Sequence, residues 1–250
     1  MKISLLRLTG LVAMFFASVT SYADVPASYY SSLNGKKDAE LKNAIYGIIH
    51  NFTRISSYQD LPKYFQTTDV YPESSRWWDM YSDIPLYAPS FSGLNREHSF
   101  PKSWWGGSTE VGAYVDLNHL YPSEMKANTA KSNFPLGTVD MSSNVSFDNG
   151  ICKVGYPVNG QGGGAQKVFE PDDQYKGDFA RTYFYMVTCY QDLTWKYTYM
   201  VSQNLYPTLN QWSIDLLMKW HREDPVSEKE RDRNEAVFGF QNNRNPFIDR

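Results

Sequence analysis

Apolar residues recur at helical spacing in several stretches of the chain. Leu41, Ile45, Ile48 and Ile49 line one side of residues 38–50, which predicts a helix with Asp38 as its cap and His50 as a favourable charge near its end. Phe179, Tyr183, Val187 and Tyr190 predict a second helix over 177–191, and Leu209, Trp212, Leu216 and Trp220 a third over 208–222. Beyond Pro225, Ser227 and Glu230 have capping-box spacing and lead to Ala236, Val237 and Phe240, with Asn245-Pro246 read as the end of that last helix. Strand signals concentrate in the middle. Residues 145–147 and 151–154 flank Asp148-Asn149-Gly150 as a β-hairpin. Residues 58–91, broken by prolines and rich in aromatics, read as loops with short strands, Trp77 and Trp78 serving as packing residues. The glycine-rich run 159–164 lacks the Gly-Lys-Ser/Thr ending of a phosphate-cradling loop and reads as a flexible connection. The pattern specifies an α+β fold, a mixed α/β single domain with a helical C-terminal half.

Residues 1–23 stand apart. Lys2 and Arg7 precede or interrupt an apolar run from Leu5 to Val19, and Ser21-Tyr22-Ala23 offers a cleavage site before Asp24. The run is short of the ~20 residues a membrane span needs, so it is expected to be an export signal. The expected mature chain, residues 24–250, is a soluble monomer in the periplasm or outside the cell, without a membrane partner.

Charge constrains what such a protein can bind. The formal net charge is −3, and setting Lys2 and Arg7 aside gives −3 − 2 = −5. An acidic chain does not attract nucleic acid by its overall field, so a nucleic-acid substrate requires cations gathered on one face. Cys152 and Cys189 are the only cysteines. In an exported protein they are expected to pair, closing a loop worth ~3–4 kcal/mol in the chain-entropy view. Two buried thiols are the alternative.

The unusual chemistry lies between Asn95 and Asn133. Asn95, Arg96, Glu97, His98, Asp116, Asn118, His119, Asn128, Lys131 and Asn133 are more polar groups than a simple core uses. Cleaving a phosphodiester requires that water lose a proton, which suits an imidazole. It also requires charge stabilisation at phosphorus and at the leaving oxygen, which a divalent cation supplies. Magnesium takes hard oxygen ligands and keeps several waters, so one carboxylate and one amide oxygen are enough. Glu97, His98 and Asn133 form that minimal set. Adjacent residues of a strand face opposite ways, so Glu97 and His98 share a site only at a strand end, bulge or turn, with Asn133 folding back from a short helix after Pro122. A zinc site of His98, His119 and Asp116 is disfavoured by its spacing.

Asn95-Arg96-Glu97-His98-Ser99-Phe100-Pro101 resembles the signature of the bacterial endonuclease I family, periplasmic or secreted nucleases. Asp116-Leu117-Asn118-His119-Leu120-Tyr121-Pro122 resembles a second block of that family and Lys131-Ser132-Asn133-Phe134 a third. Residues 180–186 and Asn245-Pro246-Phe247 match as well, so the likeness spans most of the expected mature chain. The resemblance implies a ββα-metal (His-Me finger) core, His98 as general base, and Glu97 and Asn133 as ligands of Mg2+, with Ca2+ or Mn2+ as substitutes. It implies a non-specific endonuclease acting on DNA, with RNA as a further substrate, and products carrying 5′-phosphates. An exported nucleic-acid-binding module that has kept the fold without catalysis is the competing reading, and a phosphodiesterase for another ester a third. Some relatives carry an arginine-bearing, cysteine-rich insertion between the first two blocks; residues 106–115 hold neither Arg nor Cys here. Arg96, Lys131 and Arg181 are therefore the candidates for a phosphate contact, and the roles of His119 and Asn128 stay open. The mixed-sign cluster of Arg222, Glu223, Asp224 and residues 229–233, with His221 beside it, reads as a solvated surface, a DNA-binding patch being the alternative.

Overall fold

The computed structural model describes residues 25, 26 and 28–250; the expected export signal lies outside them. The first helix, α1 (Asp38–Ile49), buries Ile45 and Ile49 as its apolar stripe demands. Asp38 does not cap it. It is the first helical residue, with φ of +48°, and makes no cap bond; Lys37 occupies the cap position. Residues 58–91 contain a helix that their prolines disguised. In α2 (Leu61–Thr68), Pro62 stands in the first turn, where its missing N–H costs nothing, and Leu61 and Phe65 are buried one turn apart. A short pair, β1 (Val70–Tyr71) and β2 (Arg76–Trp77), follows. Trp77 and Trp78 are buried.

The element that organises the site is a strand–strand–helix unit. β3 (Leu94–His98) pairs antiparallel with β4 (Leu120–Glu124), Glu97 opposite Tyr121 and His98 opposite Leu120. Two tight 3-10 turns, Lys102–Trp105 and Gly112–Val115, lie in the connection between them. The third member, α3 (Met125–Lys131), starts where β4 ends and packs on both strands. Glu124 caps it by accepting from the Ala127 N–H.

A three-stranded antiparallel sheet follows. The expected hairpin forms as β5 (Val145–Asp148) and β6 (Cys152–Gly155), with a bulge, and β7 (Val168–Pro171) adds a third strand. The glycine-rich loop is packed against its neighbour. Gly163 sits at φ +55°, and a Cβ there would lie 1.9 Å from the Tyr199 carbonyl oxygen, so close backbone approach requires this glycine.

Helices cover the rest. α4 (Lys176–Cys189) is buried along nearly its whole length, packed chiefly on α1 and on α5 (Gln211–Glu223). The expected capping box of Ser227 and Glu230 opens α6 (Glu228–Gln241). That helix ends at Asn242, in the left-handed conformation favoured at helix ends. Asn245-Pro246 starts a further helix, α7 (Pro246–Asp249), capped by the Asn245 side chain. The run 229–233 is not wholly solvated, because Glu230 and Arg233 are buried. Arg233 pairs with Asp69 at 2.7 Å and donates to the carbonyls of Leu117 and Leu120, tying α6 to β4 and the loop before it.

The expected disulfide is absent: Cys152 and Cys189 are buried free thiols. They serve different seams. Cys152 on β6 donates to the Tyr81 carbonyl, and Cys189 at the end of α4 points to the Ile49 carbonyl. Burial pushes the Cys152 thiol up to about 12.

Candidate active site

His98 is the last residue of β3, still in register opposite Leu120, and Glu97 precedes it. His98 is 8% exposed, in a nest of rings. Tyr58 and Tyr114 stack nearly parallel to it, at centroid distances of 5.6 and 5.7 Å, while Trp105 meets it edge-on at 5.7 Å and His119 lies at 5.4 Å. Its Nε2–H donates to the backbone carbonyl of Tyr114 at 3.0 Å. That bond selects the tautomer in which Nδ1 carries the lone pair, and Nδ1 has no protein partner among the described residues. Burial, then the neighbouring His119, hold the imidazole well below its usual range, so it stands neutral at neutral pH.

Glu97 is also 8% exposed. Its Oε1 accepts from the Lys131 ammonium at 2.7 Å, and Asn128 donates to the same carboxylate. Burial raises the carboxyl's pKa, and Lys131 opposes that rise. Both Asn128 and Lys131 lie on α3, so the helix positions the carboxylate. Asn133 lies just beyond the end of α3. Its carbonyl accepts from Trp104 Nε1 at 3.1 Å, and its Nδ2 faces Ser103 Oγ at 3.5 Å. Oδ1 is thereby left without a protein donor among the described residues. The 3-10 turn Lys102–Trp105 thus touches Asn133 through Ser103 and Trp104, and His98 through Trp105. A buried carboxylate and a half-buried amide oxygen on adjoining elements are the hard donors that a largely hydrated magnesium ion takes, so the residues present fit such an ion.

The remaining polar residues divide by what they touch. Asp116 is structural: Oδ2 accepts from Tyr185 and Tyr190 hydroxyls at 2.7 and 2.8 Å, and Oδ1 from Asn118 N and Gln241 Nε2, both at 2.9 Å. With both oxygens so engaged it is no zinc ligand. His119 donates from Nε2 to the Ala113 carbonyl at 2.6 Å and leaves Nδ1 buried without a partner. Together the two histidines clasp the turn Gly112–Val115, one through Ala113 and the other through Tyr114.

The three candidate phosphate contacts have different positions. Arg181 is fully buried and bidentate to Glu230, at 2.6 and 2.7 Å, with its third nitrogen on the Asp224 carbonyl. A guanidinium so occupied has nothing left for a phosphate; it pins α4 to α6. Its neighbour His221 is half-buried at 3.3 Å from that third nitrogen, not on a solvated face. Lys131 is buried on Glu97. Arg96 is half-buried beside the site, its guanidinium 4.8 Å from the Tyr58 ring centroid. Sequence reasoning missed Lys102, Tyr58 and Tyr114. Lys102 directly follows the first block and was open to notice. Tyr114 acts through its carbonyl, which any residue supplies, so no side-chain signal marks it.

A sequence profile described as Endonuclease I matches residues 37–250. An extracellular ribonuclease of Bacillus amyloliquefaciens is 32% identical over 245 residues, covering 93% of this chain and 78% of that protein. An extracellular ribonuclease of Bacillus subtilis (strain 168) is 30% identical over 260 residues, covering 96% and 81%. Endonuclease-1 of Buchnera aphidicola subsp. Acyrthosiphon pisum (strain APS) is 26% identical over 133 residues, 53% of this chain and 44% of that protein.

Proposed function

The chain belongs to the endonuclease I family of nucleases, and from that premise we propose that it hydrolyses phosphodiester bonds within both DNA and RNA, with His98 as base and one divalent cation on Glu97 and Asn133. The observation that carries this reading is the hydrogen bond from His98 Nε2–H to the Tyr114 carbonyl, at the end of the strand that also bears Glu97. It supports the reading because it leaves the Nδ1 lone pair free to accept a proton from a substrate water. His98 Nδ1 accepts a proton from that water as its oxygen attacks phosphorus in line. The P–O3′ bond breaks and the leaving O3′ takes a proton from solvent water, giving a 3′-hydroxyl on one product and a 5′-phosphate on the other, and His98 returns its proton to solvent. Mg2+, with Ca2+ or Mn2+ as substitutes, would supply charge stabilisation at the phosphate and the leaving oxygen. Glu97 and Asn133 would hold it, and Lys131 and Asn128 keep the Glu97 carboxylate in place.

RNA stands beside DNA because two relatives are named extracellular ribonucleases. Those names, with the leader-like residues 1–23, also support export to the periplasm or beyond the cell. The enzyme is proposed to act as a monomer.

The test is cleavage of plasmid DNA and of a long RNA with Mg2+. His98→Ala should lower the rate by about 10²–10⁴-fold, the usual range for removing a general base. Excess EDTA should abolish it. Equal rates in the variant and the wild type would remove His98 from the reaction, and full activity in EDTA would remove the cation.

A further inference from the structure

The proposed reaction requires positive charge on the substrate phosphate, and of the three residues nominated from sequence only Arg96 is left to supply it. Arg181 is consumed by Glu230, and Lys131 by Glu97. The structure adds Lys102 as a second cation beside Arg96. Tyr58 and Tyr114 stack on each other at 4.7 Å and both stack on His98. Each tyrosine carries a cation on its ring: the Arg96 guanidinium lies 4.8 Å from the Tyr58 centroid, and Lys102 Nζ 5.4 Å from that of Tyr114.

Neither cation has an acidic partner among the described residues, and both are half-buried; the one side-chain hydrogen bond of Arg96 goes to the neutral Tyr58 hydroxyl. Arg96 Nε is buried without a hydrogen-bond partner among the described residues, a donor left unused where orphaned donors are rare. The backbone that carries each side chain is also held. Arg96 precedes His98 by two residues on β3, so it shares the His98 face of the strand, and Tyr58 Oη donates to its carbonyl at 2.9 Å. Lys102 lies against the Gly106-Gly107 turn, whose Gly107 N–H donates to the Lys102 carbonyl at 3.1 Å. In a chain of net charge −3, two cations without acidic partners beside one imidazole form a local patch against the overall field.

We propose that Lys102 and Arg96 form a two-point clamp for the backbone phosphates at the scissile position, Lys102 contacting the substrate from the Tyr114 side and Arg96 from the Tyr58 side. This rests on the nuclease reading above. It assigns Lys102 a substrate contact and gives this chain its own source of the phosphate-binding charge that residues 106–115 lack. Both contacts go to phosphate, so they are indifferent to base identity.

The experiment compares Lys102→Gln, Lys102→Arg and Arg96→Gln with the wild type. Cleavage is assayed on a short DNA duplex with Mg2+, and binding of the same duplex by fluorescence anisotropy in EDTA, between low and moderate salt. Lys102→Gln should raise KM about tenfold with a smaller effect on kcat. It should also lower the slope of log K against log salt by roughly 0.9, one phosphate contact's worth. Arg96→Gln should act in the same direction, and Lys102→Arg should restore both readouts. Unchanged KM and salt slope in Lys102→Gln, beside an active wild type, would overturn the clamp and leave the nuclease reading intact. A wild type that neither binds nor cleaves DNA or RNA would overturn both. A purely structural role for Lys102 would lower the unfolding midpoint without moving the salt slope, and that outcome also overturns the clamp.

Discussion

Lys131 Nζ lies 2.7 Å from Glu97 Oε1, joining the last turn of α3 to the penultimate residue of β3. The lysine side chain is fully buried and the carboxylate is 10% exposed. Sequence reasoning gave these residues separate tasks, a phosphate contact and a metal ligand. In the fold they are one unit. The ammonium counters the carboxylate's charge where water reaches poorly, and it fixes the position of the carboxylate.

That pairing makes a thermodynamic prediction. Removing one member of a buried ion pair strands the other, at a cost of about 3–5 kcal/mol, whereas replacing both with apolar residues is far milder. Glu97→Leu and Lys131→Met should each lower stability in urea unfolding by amounts of that order. The double variant should be more stable than either single one. Strictly additive losses would sink the claim of a coupled buried pair.

Arg181 yields a prediction that separates structure from catalysis. Its bidentate bond to Glu230 joins α4 to α6. Arg181→Gln should therefore cost about 3–5 kcal/mol in stability. The KM measured on protein that remains folded should stay at the wild-type value. A tenfold KM rise without loss of stability would return Arg181 to the substrate.

His119 should make the fold acid-sensitive. Burial pulls its pKa down to about 3, whereas an unfolded histidine titrates near ~6.5. Because the folded value is depressed, the unfolded chain takes up the proton first. The stabilising contribution is complete above pH ~6.5 and is lost as pH falls toward about 3, at roughly 1.4 kcal/mol per pH unit. In His119→Gln the side-chain amide can donate to the Ala113 carbonyl and has no proton to gain. Its stability should decline less steeply over that window by about one proton. Urea titrations at a series of pH values measure this, and identical slopes would refute it.

The cysteines provide a chemical check. Both are buried thiols with pKa values raised by burial, so Ellman's reagent should find neither in the native protein and both after unfolding without reductant. The unfolding midpoint should not change with dithiothreitol. Failure to detect thiols in unfolded protein would mean that the pair is oxidised after all.

Much of the architecture was legible because the signals are local. The stripes of α1, α4 and α5, the capping box of α6 and the β5–β6 hairpin are each set by residues a few positions apart. Proline misled twice for one reason. At Pro62 and Pro246 it stands at a helix start, where its fixed φ is an asset, but in a bare sequence it reads as a stop. The charged run 229–233 misled because a buried guanidinium and a solvated one are the same letter.

The sequence alone determined the local elements and the chemical inventory of the site: an imidazole and a carboxylate at one strand end, an amide after the next helix, and blocks that resemble a nuclease family. Tertiary structure decided the assignments that depend on distant partners. It gave Arg181 to Glu230 and Lys131 to Glu97, left Arg96 and Lys102 without acidic partners among the described residues, fixed the His98 tautomer through a backbone carbonyl, and kept the thiols apart. The physical reason is that a side chain's charge, protonation and freedom are set by the atoms within a few ångströms of it, and most of those atoms come from elsewhere in the chain.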